Sequence, residues 1–297
     1  CMGNTKTTTR GDRGMMFFSY QRGDRGQVVR DIQQALNTTQ AAGLEVDGIY
    51  GQQTDRAVTK IASYQNNGSR AASPAVFTEI GIPQIAIADI SDHQYQVDFH
   101  KLRASGVRGV IIKASEGFDW KTKKIERFKE AKDAGLLVGA YHFGRPDLHD
   151  EDDAPQIERA NFDEVIERAG VRLDFLPVYD FEKGDKTRDE WSVHYCLEWK
   201  PGIIYTARWA IDSLAGREAD HLMEAGASLW FADYRRGNDK RYPTDSTRPW
   251  AEWSLWQHTA SELTEAVTDR HGEPSKIDMN WTHRGRLREL LNKGCKV

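Results

Sequence analysis

The chain is short of cysteine. Three occur in 297 residues, Cys1, Cys196 and Cys295, too few for a disulfide framework, and no C-x-x-C pair is present to start a zinc ribbon. Long apolar runs are missing too: none approaches the roughly 20 residues that span a bilayer. Charge of one sign is also lacking. Lys and Arg number 41 against 45 Asp and Glu, a net charge of −4, which gives no electrostatic reason to expect nucleic acid as partner. Neither a G-x-G-x-x-G nor a P-loop follows the first strand-like segment, which weighs against a nucleotide-binding sheet. What remains, 39% hydrophobic and 29% charged, is a globular composition. Nine Trp and ten Tyr fit either core filling or platforms for a sugar or another flat ligand. Cys1 has two readings, an extraneous residue ahead of Met2 or the first residue left by lipoprotein-type processing.

Residues 1–21 are polar apart from "MMFF" at 15–18, and read as a flexible tail. The pentapeptide RGDRG occurs twice, at 10–14 and 22–26, with a seven-residue gap too short for a second module. The second copy leads into "QVVRDIQQAL", where Val29, Ile32 and Leu36 have helical spacing and Asp24 is placed to cap the helix. Asp47-Gly48 signals a turn. Thr54 then reads as the N-cap of a second helix that buries Ala57, Val58 and Ile61, and Ser73 to Gly81 as a third. Residues 22–82 are therefore expected to form a small three-helix domain.

After Pro83 the pattern changes. Apolar runs of strand length, "IAIADI", "VRGVIIKASEG", "GLLVGAYHF", "DFLPVYDFE" and "PGIIYTA", alternate with amphipathic helical stretches. "SLWFADY", "EWSLWQHT" and "KIDMNW" read as further strands. This rhythm predicts an α/β fold over residues 83–297, a modified TIM-like barrel with fewer than eight helices.

The carboxylates carry the chemistry. Asp89, Glu116, Asp180, Glu182 and Asp278 each end an apolar run, and in a barrel those ends converge on one face. Asp180 and Glu182, two apart on a strand, point the same way while Phe181 points oppositely, their Cα atoms about 6.5–7 Å apart. Such a pair repels, and partial burial can keep one protonated as general acid while the other stays ionised. Cleaving an acetal needs that division of labour. The competing readings are a solvated strand end with ion pairs, and a divalent metal site with His142 nearby; a lone His after an apolar run is more often structural.

With these residues in view, the chain resembles the glycoside hydrolase family 25 lysozymes, the Chalaropsis-type muramidases. The resemblance rests on "ADIS", "IIKASEG", "AGLLVGAYHFGRP", "RANF", "VYDFE", "IIYTA", "LWFADY", "LWQH" and "IDMN", in order over about 200 residues. It implies hydrolysis of the β-1,4 bond between N-acetylmuramic acid and N-acetylglucosamine, with no cofactor and no metal. Carried over, Glu182 becomes the general acid/base, Asp180 assists the substrate's 2-acetamido group, and Asp89 and Asp278 complete the acidic floor. Glu116 supports the site or binds sugar. Tyr141, Trp230, Tyr234 and Trp256 are placed along the groove, Trp256 being equally assignable to core. The departures are Ser115 for Thr, Phe181 for an aliphatic residue, and an acidic loop at 147–153.

Residues 22–58 are similar to type 1 peptidoglycan-binding domains, whose hallmark D-G-x-x-G turn is here Asp47, Gly48 and Gly51. Ile61-Ala62 stand where that family carries an aromatic-Gln pair. Both resemblances imply bacterial peptidoglycan as partner and a monomer, best suited to a phage endolysin held in the host cytoplasm until lysis and then acting on the wall. A bacterial autolysin or exported effector, secreted or anchored through Cys1, is the alternative setting. A non-catalytic wall-binding protein on a barrel scaffold is the alternative function.

Overall fold

The helical spacing of Val29, Ile32 and Leu36 is realised in α1 (Gln27–Gln40), which buries all three. The structure is a computed structural model that describes residues 22–25, 27–62, 84–183, 189–214, 218–234, 249–250, 253–293 and 295; the expected tail and the third helix at 73–81 lie outside them. Opposite α1 runs α2 (Gln52–Ala62), contributing Val58 and Ile61, with Leu44 and Tyr50 from the connection. Gln33 organises that connection. Its amide donates to Asp47 Oδ1 at 2.8 Å and to the Ile49 carbonyl at 3.1 Å, and its Oε1 accepts from the Gly48 N–H at 2.9 Å. Gly48 has φ 75°, a conformation that costs a residue with a Cβ, so the Asp-Gly turn is set by backbone sterics. Thr54 is not the cap expected: α2 starts two residues earlier, and Thr54 is buried with its hydroxyl accepting from Gln33 at 3.3 Å. Asp24 lies three residues ahead of α1, buried, its carbonyl accepting from the Tyr50 N–H.

The rest is a closed β/α barrel. Its strands are β1 (Gln84–Ile90), β2 (Val107–Glu116), β3 (Leu137–Phe143), β4 (Val178–Asp180), β5 (Ile203–Ala207), β6 (Ser228–Ala232), β7 (Leu255–Thr268) and β8 (Pro274–His283). Each pairs with the next, parallel from β1 to β7. Then β8 returns antiparallel to both β7 and β1, closing the ring. Outside pack α3 (Phe99–Ala104), α4 (Glu126–Asp133), α5 (Ala154–Ala169), α6 (Asp189–Trp199), α7 (Arg208–Asp212), α8 (Glu218–Glu224) and α9 (Arg284–Leu290). The "DFLPVYDFE" segment is strand only over Val178–Asp180. Its first half instead turns under the barrel, where Phe175 bridges to Leu291.

Strand alternation sorts the apolar residues into two layers. Ile87, Ile111, Val178, Ile203 and Leu255 face inward, and Phe175 with Leu287, Leu290 and Leu291 plugs the base. Ala88, Val110, Ile112, Ala140 and Leu229 face outward beneath the helices. Gly109 and Gly139 are the close approaches that admit the plug. A Cβ on Gly139 would lie 2.9 Å from Phe175 Cβ, and one on Gly109 3.1 Å from its ring. Filling the lower half with side chains leaves the upper half, at the strands' C-terminal ends, open for polar groups. Phe175→Ala is expected to destabilise the fold by about 3–5 kcal/mol through the cavity it leaves, read as a lower midpoint in urea denaturation.

Candidate active site

Side chains from all eight strand ends converge on a cavity of ≈ 260 Å³. Asp89, Asp180, Glu182 and Asp278 supply its acids, Tyr141, Tyr205, Trp230 and Tyr234 most of its aromatic wall, and Gln257 and Lys113 complete it. Asp180 ends β4, Phe181 turns outward into the core, and Glu182 returns to the cavity.

Two of the acids meet because the barrel closes. Asp89 and Asp278 are register partners across the antiparallel β1–β8 pair, and their carboxyls hydrogen-bond to each other. Burial pushes Asp89 up to about 6, against the hydrogen bonds from Asn280 and Gln257 that favour its charge. Burial and the charge of Asp89 push Asp278 up to about 8, so near neutral pH Asp278 holds the shared proton and donates it. The other Asp89 contacts are fixed by a relay of amides and phenols. Gln257 and Asn280 donate to Asp89 Oδ2 at 2.9 and 2.8 Å, and Tyr205 and Tyr234 donate to Gln257 Oε1 at 2.7 and 2.6 Å. Trp230 Nε1 donates to Asn280 Oδ1 at 2.7 Å.

Asp180 differs. It is buried, and among the described residues its Oδ1 has no hydrogen-bond partner. Burial, then the charge of Glu182, raise its carboxyl well above the usual range, while Lys113 pulls it down. Glu182 is raised by burial and by Asp89, offset by Lys183. Two adjacent carboxyls that both resist ionisation favour keeping a proton on one of them, the state a general acid requires.

The edge of the cavity is pinned from outside. Ser91 and His93 line it from the loop after β1. The buried Arg127 of α4 donates to the carbonyls of Ser91 and Gln94 at 2.9 and 2.5 Å, and Lys124 Nζ donates to that of Gln94 at 2.7 Å.

Not every expected residue reaches the cavity. Trp256 is a correction: with Leu255 and Gln257 facing inward, strand parity turns it outward, where it is 2% exposed and packs near Trp253 and His258. Glu116 does not line the cavity; it bridges Lys113 and Arg145. His142 also faces outward, fully buried between Ser115 Oγ at 2.8 Å and Glu158 Oε2 at 2.7 Å. Among the described residues no three His, Cys, Asp or Glu come together as metal ligands. Lys113, Tyr205, Gln257 and Asn280 escaped the reading. The signal was present, since Tyr205, Gln257 and Asn280 each sit near the end of an apolar run, but only the acids were read there.

A family model described as Glycosyl hydrolases family 25 matches residues 88–267. A 95-residue stretch is 36% identical to the autolytic lysozyme of Clostridium acetobutylicum, covering 32% of this chain and 27% of that protein, so the chain spans only a minor part of that relative. Two solved structures share the fold. The lysozyme of Streptomyces coelicolor superposes with a TM-score of 0.55 at 20% identity, over 71% of this chain and 98% of that one. The CTP1L endolysin does so with a TM-score of 0.53 at 23% identity, over 69% of this chain and 68% of that one.

Because Asp278 and Asp89 titrate far above the aspartate range of an unfolded chain, the native state binds more protons than the unfolded state from about pH 4 upward. Their contribution to stability therefore declines as pH rises toward 8. Asp278→Asn should flatten this decline between pH 6 and 8, measured as the unfolding free energy in urea at each pH; an unchanged slope would contradict the shared proton.

Proposed function

The chain belongs to glycosyl hydrolases family 25, and from that premise we propose that its acid cavity hydrolyses the β-1,4 bond between N-acetylmuramic acid and N-acetylglucosamine in bacterial peptidoglycan. The observation that carries this reading is the neighbouring pair Asp180 and Glu182, a buried and a partly buried carboxyl lining one polar cavity. An amide N–H of the substrate's 2-acetamido group hydrogen-bonds the Asp180 carboxyl. That hydrogen bond also favours the ionised form of Asp180 and so leaves the proton of the pair on Glu182.

From there the chemistry follows in two steps. Glu182 gives its proton to the leaving glycosidic oxygen as the C1–O bond breaks. The acetamido oxygen forms a bond to C1 from the opposite face, Asp180 stabilising the positive charge that develops on the amide. Water, deprotonated by Glu182, then attacks C1 and restores the acetamide with net retention, the substrate-assisted variant of glycoside hydrolysis. Asp89 and Asp278, sharing one proton, form the floor that orients the sugar. Trp230, Tyr141 and Tyr234 offer the apolar faces against which pyranose rings pack.

Residues 22–82 act in this proposal as a wall-binding unit that keeps the barrel near its polymer, a reading supported by the Gln33-braced Asp47-Gly48 turn between α1 and α2. The fold shared with the CTP1L endolysin supports a modular endolysin that is released at host lysis. Among the described residues no helix is long and apolar enough to cross a membrane.

Glu182→Gln tests the assignment. Clearing of a purified peptidoglycan suspension and release of reducing ends should fall by about 10²–10⁴-fold, the usual worth of a general acid. Co-sedimentation of the variant with the wall should persist. Near-normal turnover would refute the role of Glu182.

A further inference from the structure

Lys113 stands apart in the cavity. Among the described residues that line it, this side chain brings the permanent positive charge, and four carboxyls line the same cavity. Its position depends on an irregularity in β2. Lys113 pairs with Tyr141 and Ser115 with the next residue, His142, so Ala114 is an unpaired bulge residue. The bulge restarts the alternation. Ser115 turns outward to His142, and Glu116 comes back to the side of Lys113. The two then form an ion pair at 2.6 Å that an unbroken strand would not allow.

The ammonium is held from several directions. Its Nζ lies 4.8 Å from the centre of the Trp120 ring and 4.7 Å from that of Phe143. Glu116 is itself held by Arg145 at 3.0 Å, and Arg145 is fixed by Asp147 at 2.9 Å through its side chain and by Glu158 at 3.1 Å through its backbone N–H. A buried Ser115–His142–Glu158 chain thus anchors, through Arg145 and Glu116, a single cation beside the acids. Lysine at the end of a flexible stem needs such bracing to stay in one place.

We propose that Lys113 is a positioning residue for catalysis: held by Glu116, it keeps Asp180 ionised when the substrate's acetamido group is engaged. The proposal rests on the role given to Asp180 above. The charged and titratable groups that line the cavity with Asp180 are Asp89 and His93 from β1 and the loop after it, Lys113 from β2, Tyr141 from β3, Glu182 from its own segment, Tyr205 from β5, Tyr234 after β6 and Asp278 from β8, with Glu116 behind Lys113. The carboxyls Glu182, Asp89 and Glu116 oppose its ionisation, and Lys113, the permanent cation of the lining, favours it.

The acid limb of the pH profile tests this. In K113M the acid limb of kcat/KM on purified peptidoglycan should move up by about one pH unit, roughly a tenfold loss on the acid side. K113R should restore the limb. A K113M rate that falls equally at all pH values, or a limb that stays where it is in the wild type, would overturn the proposal. Circular dichroism of each variant separates misfolding from either result. If the wild-type protein releases no reducing ends, the hydrolase reading fails instead. The Lys113 proposal is then still decided by the ¹³C titration of the Asp180 carboxyl, whose midpoint must rise in K113M.

Discussion

The antiparallel pairing of β8 with β1 is the contact on which the rest of the molecule turns. It closes the ring of strands, and in doing so it sets Asp89 directly opposite Asp278. Two carboxyls at one cross-strand position would normally weaken a sheet. Here the conflict is resolved by a proton, which Asp278 retains up to about pH 8. The same pairing brings Asn280 opposite Ile87, where its amide bonds both the Ile87 carbonyl and Asp89. Closure of the fold and assembly of the acid floor are one event.

Burial of four acids opposes folding, and the barrel bears this in two ways. The lower interior is apolar and tightly filled, Phe175 seated against two glycines, so the stabilising area lies at the end away from the acids. At the upper end the polar groups satisfy one another through Gln257, Asn280, Tyr205, Tyr234 and Trp230. In this cluster, among the described residues, Asp180 keeps one buried oxygen without a hydrogen bond.

Much of this was legible in the residues. Apolar runs of strand length ending in acids predicted a barrel with its acids on one face, and alternation put Asp180 and Glu182 together with Phe181 turned away. Alternation was not applied everywhere. Trp256, between the inward Leu255 and Gln257, had to face out, yet its residue type left groove and core equally open. Thr54 resembled a cap, but it is the third residue of α2, buried with its hydroxyl accepting from Gln33. The Lys113–Glu116 pair was beyond reach, because a bulge changes parity without leaving a mark in composition. "DFL" read as strand because an apolar run does not reveal whether it lines a barrel or plugs its base.

The most direct measurement is proton NMR of the first sugar end released from purified peptidoglycan, followed before mutarotation scrambles it. A cavity that works through Glu182 and an Asp180-assisted acetamido group must release N-acetylmuramic acid at the new reducing end as the β-anomer. Release of N-acetylglucosamine ends would contradict the bond assigned, and the α-anomer would contradict the assisted mechanism.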